Sequence, residues 1–484
     1  MHRTSESPKD SPATWTPASG LQMRLRGWLA PWLQRGWRPL LIELALLAVG
    51  VWAAAHLVYL TRYGGSVPNH DVHEYQHYAM RFWTEPPLFR HLPVEYPPLS
   101  IVPFTLTLLP PVADPLVVFT FWMGALFLAG YVWFLRYADH RRALTYAIYL
   151  LIGAASTVFA RFDLVPALIT LLALVAAERR RFRWAYLLLA LGILLKLYPT
   201  FLVPLVAIEH WHALRASPDT RGTEGVQTDA TTLAARLAAL FQRIDRAAVR
   251  AVAQGLGLCI LVVALGFGVA ALLSPADALS GFSYAGSRPL QIESTPASLL
   301  WLGTWLRIPA HAVYTFQSLN LVGPLDHILE PLSALALAGG CLFVYWRQWR
   351  GRLSLGFAFV ACICVVLVSN KIFSPQYLIW VLPLVAYVSG FDVLWLVIGL
   401  LTTIIYPFLY FDHSHILFVA QDWRFLPVVA LRNAVLVVAT VRILKGLPGD
   451  AAARSEPSPR PHLMARGSED EAHDQIPARA APSS

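Results

Sequence analysis

Between residues 39 and 443 the chain returns repeatedly to apolar runs of membrane-spanning length, joined by short polar or proline-punctuated stretches. A helix needs about 20 apolar residues to cross the hydrocarbon core. Backbone groups within that core must be satisfied inside the segment, which leaves helices as the spanning unit. The pattern therefore predicts an all-α polytopic membrane protein, a bundle of about 12 transmembrane helices. Only 14% of the residues are charged and 56% are hydrophobic, whereas a soluble domain carries about a quarter charged residues. The net charge of +9 is assigned to cytoplasmic loops, which collect Lys and Arg, and not to nucleic-acid binding. The four cysteines, Cys259, Cys341, Cys362 and Cys364, lie inside apolar runs, which argues against a disulfide framework or a metal site.

Charge asymmetry sets the expected topology. Residues 1–38 are a Ser/Thr/Pro-rich, then basic, cytoplasmic N-terminus expected to be disordered at its start. The first apolar run begins too late, and is too long, for a cleavable signal peptide. With Arg24, Arg26, Arg35 and Arg38 held inside, residues 39–60 run outward and the loop at 61–98 is external. Residues 97–111 are too short to cross and read as a broken or re-entrant segment. The insert at 210–250 is cytoplasmic, and its second half places Leu233, Leu237, Phe241 and Ile244 on one helical face. That face suits either the membrane surface or the protein's own inner side. A second long external segment covers 274–326, and the tail at 445–484 reads as disordered. The membrane domain is thus 39–444. Within it, the polar clusters at 61–98, 161–163, 196–199, 274–326, 370–376 and 411–423 all fall on the outer side.

The loop at 61–98 is the most suggestive of these. It holds His70, Asp71, His73, Glu74 and His77 in a chain with few places to keep a carboxylate in water. Asp71 with Glu74 three residues on has the form of a capping box. Tyr75, Tyr78 and Phe82 follow at helical spacing, an aromatic face suited to a membrane boundary. A carboxylate at Asp71 could equally remove a proton from an incoming hydroxyl. His73 and His77 lack further ligands at fixed spacing, so no metal is expected. Lys196 sits in an otherwise apolar hairpin, a costly position that marks a functional site or a buried ion pair. Lys371 is similar. Arg161 and Asp163 lie at a tight external tip and read either as a structural pair or as part of a site. In the second external segment, Arg288 suits phosphate, and Gln291 and Glu293 suit sugar hydroxyls.

Six pieces in order carry a resemblance: HDVHEYQHYA before VEYPPLS, then RFD, LGILLKLYP, RPLQIES and NKIFSPQYLIWVLP. Together the chain resembles the GT-C superfamily of polytopic glycosyltransferases. Within it, the chain is similar to glycosyltransferase family 87, the polyprenol-phosphate-mannose-dependent bacterial mannosyltransferases. The resemblance implies a GT-C-like bundle and inverting transfer of a hexose, mannose in that family, from a polyprenyl-phosphate donor to a glycolipid or glycan acceptor. It places the active site on the outer face of the cytoplasmic membrane and calls for no cofactor. Asp71 occupies the place of the family's catalytic carboxylate. Family members often carry a single Asp–Tyr pair there, whereas this loop adds Glu74 and three histidines. The expected substrate-binding residues are His73, Glu74, Tyr75, Tyr96, Arg161, Asp163, Lys196, Tyr198, Arg288, Gln291, Glu293, Lys371, Gln376 and Tyr377.

Two other functions fit a greasy chain with buried charges: a transporter or flippase, and a ligase or polymerase of lipid-linked glycans. A one-sided distribution of polar clusters and the lack of an inverted repeat weigh against transport. Sugar, acceptor, linkage and oligomeric state are not fixed by the sequence. Lys196→Met is expected to spare folding and weaken the use of donor.

Overall fold

A computed structural model describes residues 37–63, 70–111, 114–216, 246–410 and 416–446. Most of the N-terminal segment, the insert's amphipathic stretch, residues 411–415 and the tail lie outside the described residues, and so do the expectations about them. The chain divides into two compact units at residue 54. The first contributes the start of α1 (Trp37–Tyr63). All that follows concerns the second.

Among the described residues, four helices are long and apolar enough to cross a membrane: α4 (Pro115–Tyr137), α9 (Arg246–Leu273), α12 (Asp326–Trp349) and α17 (Phe425–Lys445). Their outer faces remain apolar. Ile260, Leu261, Leu265 and Leu272 on α9 are each more than half exposed, as are Leu332, Leu335 and Leu342 on α12. Soluble surfaces do not carry apolar stripes of that length; lipid is the solvent such faces fit. Shorter apolar helices fill the bundle, including α6 (Leu164–Glu178), α7 (Phe182–Leu195) and α13 (Leu355–Ser369). The fold is therefore that of a helical membrane protein. Twelve crossings are not established by four long helices.

The segment at 97–111 is a short α-turn, α3 (Ile101–Thr105), between two 3-10 turns. Pro97 and Pro98 set its start, and Pro103 removes a backbone donor. Its length agrees with the expected broken helix. Likewise the Lys196 hairpin breaks where expected. α7 ends at Leu195, a 3-10 turn covers Tyr198–Leu202, and α8 (Val203–Arg215) follows, with prolines at 199 and 204.

α2 (His70–Thr84) carries the first candidate residues. Val72, Tyr75, Ala79 and Phe82 form its buried stripe, at 0%, 1%, 0% and 8% exposure. This corrects the expected membrane-boundary role for Tyr75 and Phe82. The Tyr75 ring stacks on Phe104 at 4.1 Å and meets Phe119, Phe162 and Tyr96 edge-on or tilted within about 6 Å. Full burial of one such side chain contributes about 1.5–3 kcal/mol, enough to hold a short helix against the bundle.

The segment at 274–326 corrects a purely α-helical expectation. It contains α10 (Ser280–Ser287), α11 (Thr295–Gly303) and an antiparallel hairpin, β1 (His311–Thr315) with β2 (Ser318–Val322). Residues 290–292 add further backbone bonds to β2, Ile292 N–H to Leu319 O and Leu321 N–H to Leu290 O. Leu290, Ile292, Leu319 and Leu321 turn inward onto Ile405, Leu409, Phe425 and Val429. This small platform packs on α17 and brings Gln291 and Glu293 to the wall of a cavity that Asp71 also lines.

Candidate active site

Arg161-Phe162-Asp163 is the hub. Alternate residues of this tight turn face different ways, so its two charges find different partners. Arg161 Nε lies 2.7 Å from Asp71 Oδ2. Lys196 Nζ donates to Asp163 Oδ1 at 2.7 Å. The expected Arg161–Asp163 pairing is thus replaced by two parallel ion pairs. Asp71 lies within the first turn of α2, not at its N-cap, and its carboxylate turns to Arg161, so the capping-box reading is set aside.

The two pairs differ in exposure. Asp163 is fully buried, and Trp380 Nε1 also donates to its Oδ1, at 2.6 Å. Lys196 lies among four rings, 4.6 Å from the Phe162 centroid and 5.5–5.6 Å from those of Tyr96, Trp380 and Tyr377. A cation boxed by ring faces is held electrostatically as well as by its carboxylate. Tyr198 stacks on Trp380 at 4.5 Å, and its hydroxyl bonds Thr170. Asp71, by contrast, keeps a third of its side-chain surface open.

Two adjoining cavities meet at Asp71. One, of about 330 Å³, is lined by Arg161, Gln291, Glu293, Tyr314, Tyr406 and Tyr410. The other, of about 280 Å³, is lined by Glu95, Tyr96, Lys196, Tyr198, Arg288 and Tyr377. Asp71, Glu74, Gln317, Ser318, Ser374 and Gln376 belong to both walls. Arg288 donates to Ser318 Oγ at 2.8 Å and faces the Tyr284 ring. Its guanidinium is the second cation of the 280 Å³ cavity, after Lys196.

Glu293 is buried. It accepts from the Tyr410 hydroxyl at 3.1 Å and lies 3.6 Å from Arg432. Burial pushes its carboxyl up to about 7 even against those partners. Gln291 spends its side-chain oxygen on the Phe373 N–H, a bond that ties the platform to the 370–376 turn. Glu95, quoted within VEYPPLS but not singled out, lines the second cavity. Burial, and then the charge of Asp71, push its carboxyl up to about 7.

Four expected residues fall away from the cavity walls, among them Asp163, which is fully buried and bonded to Lys196 and Trp380. His73 is exposed on the outer side of α2. Tyr75 is wholly spent on packing. Lys371 bonds Gly286 O and Glu330 and lines a separate hollow beside α12. The remaining candidates converge. Sequence reasoning missed Arg432 and Asn433, which sit inside an apolar run and hold the Glu293 carbonyl at 2.8 and 3.1 Å. An ionisable residue within a spanning segment was the available signal. Cys341 and Cys362 come within 3.9 Å as free thiols, a closeness that the spacing did not suggest.

Asp71 thus stands between a cavity walled by Lys196, Arg288 and Glu95 and one walled by Arg161, Gln291, Glu293, Tyr406 and Tyr410. Residues 95–218 match the model of glycosyltransferase family 87. The match spans EYPPLS, RFD and LGILLKLYP, agrees there with the resemblance drawn from the motifs, and supports a membrane glycosyltransferase. No curated protein and no solved structure matches the chain.

Proposed function

We propose that this protein transfers a hexose, mannose by family resemblance, from a polyprenyl-phosphate donor to a hydroxyl of a glycolipid or glycan. The reaction takes place on the outer face of the cytoplasmic membrane and inverts the anomeric centre. One observation carries the reading: Asp71 stands on the wall common to two cavities of different chemistry. The cavity with Lys196 and Arg288 suits the donor phosphate. The cavity with Gln291, Glu293, Tyr406 and Tyr410 suits a polyol. Aromatic faces at Tyr96 and Tyr377 suit the apolar face of a sugar ring.

In this mechanism Asp71 takes the acceptor's hydroxyl proton. The oxygen bonds to the anomeric carbon as the carbon–oxygen bond to phosphate breaks on the opposite side. Polyprenyl phosphate departs with the electron pair, and Arg288 and Lys196 stabilise the charge that gathers on it. Arg161 orients the Asp71 carboxylate. A separate apolar hollow of about 520 Å³, lined in part by Leu99, Trp122 and Leu195, begins one residue from Lys196. It suits the lipid chain of such a donor.

The test is incubation of purified protein with labelled polyprenyl-phosphate-mannose and mannosyl glycolipid acceptors. Labelled, anomerically inverted product supports the reading. Donor left intact with every acceptor tried, by protein shown to be folded, overturns it.

A further inference from the structure

The hairpin between the cavities has an unusual tip. β1 and β2 are joined by Phe316 and Gln317 alone, with φ of 52° and 51°. Two successive left-handed residues are the geometry of a tight hairpin turn whose favoured sequences are Asn-Gly and Gly-Gly. A phenylalanine and a glutamine there are held against their own preference, and such conformations persist only where the surroundings over-determine them.

The surroundings do so here. Asn320, fully buried, has its amide nitrogen within 2.9–3.0 Å of Thr315 O, Thr315 Oγ1 and Ser318 O, and its two N–H groups are shared among them. Tyr284 donates to Phe316 O at 2.9 Å, and its ring meets the Phe316 ring edge-on. Arg288 holds Ser318. The turn is thereby fastened to the cation-lined cavity. Gln317 itself is exposed, and it lines both cavities. Glycine would make this turn more easily, so a folding requirement alone does not explain a long amide at the tip.

We infer that Gln317 is a substrate-touching residue, its amide hydrogen-bonding the sugar as it passes from donor to acceptor. The inference rests on the two-cavity reading above and deepens it. An amide both donates and accepts, which suits a hydroxylated ring at the seam where one bond forms and the other breaks.

Glycine and asparagine separate function from folding at this position. Gln317→Gly removes the amide while relaxing the left-handed backbone. Gln317→Asn keeps an amide one methylene shorter and tolerates the same φ. The experiment measures thermal midpoint, kcat and KM for full-length wild type and both variants, with labelled polyprenyl-phosphate-mannose as donor and octyl mannoside as acceptor. Gln317→Gly is expected to keep or raise the midpoint and to lower kcat about tenfold, the size of one net hydrogen bond. Gln317→Asn is expected to recover part of that loss. An active wild type matched in kcat by Gln317→Gly overturns the inference alone. A folded wild type that transfers nothing overturns the two-cavity reading and the inference together.

Discussion

Two carboxylates, Asp71 and Asp163, each lie 2.7 Å from a cation, and they do opposite work. Asp163 has no exposed surface and serves Lys196 and Trp380. Asp71 is a third exposed, faces both cavities and shares only Arg161 among the bonds described. The difference teaches that a charge in a membrane protein is not by itself a catalytic signal. The buried pair costs desolvation that its partners offset. The open one retains lone pairs for a substrate.

Breaking the buried side has the largest expected effect on stability. Asp163→Asn leaves the Lys196 ammonium among rings without its counter-charge, and Lys196→Met strands the carboxylate. Each is expected to cost about 3–5 kcal/mol, read as a lowered unfolding midpoint in detergent. The Lys196–Asp163 ion pair thus runs against the expectation that Lys196→Met spares folding. The double variant Lys196→Met with Asp163→Leu should recover much of the loss, because neither charge is then orphaned. Loss no smaller than in the single variants would contradict the pairing. Trp380→Phe sharpens the comparison at smaller scale. It removes one hydrogen bond to a charged group, an expected cost of about 1.5–3 kcal/mol, and an unchanged midpoint would take Trp380 out of the pair's support.

Much of the site was legible because its residues are chemically out of place in an apolar chain. Lys196 stood out as an ionisable group inside an apolar hairpin, and Asp71, Arg161, Arg288 and Glu293 as charged residues of segments placed on the outer side. The partner assignments were not legible. Arg161 and Asp163 are two apart, and nothing local says that the turn sends one toward α2 and the other toward the Lys196 hairpin. The β-hairpin was hidden too, since HAVYT and SLNLV are short and lie inside a segment read only as a loop. Lys371 looked equivalent to Lys196 by sequence. The 370–376 turn is fixed by Gln291, which sends Lys371 outward to Glu330.

The smallest expected effect concerns Glu95, the neighbour whose carboxyl Asp71 helps to raise. Its ordinary value is 4.5 and its folded value about 7. The folded state therefore binds the proton more tightly. The resulting stabilisation is present below 4.5 and is lost as pH rises through 7. Glu95→Gln should flatten the fall of the unfolding midpoint between those values. A slope identical to wild type would mean that Glu95 does not titrate with folding.

The most direct measurement of the central claim is transfer by Asp71→Asn. The amide leaves the buried Arg161 without its counter-charge, so the unfolding midpoint should fall, by less than in Asp163→Asn because Asp71 is a third exposed, while the proton acceptor is gone. Turnover with polyprenyl-phosphate-mannose and a mannosyl acceptor is expected to fall by roughly 10²–10⁴. Near wild-type turnover by a folded Asp71→Asn protein would contradict the assignment of Asp71 as the base.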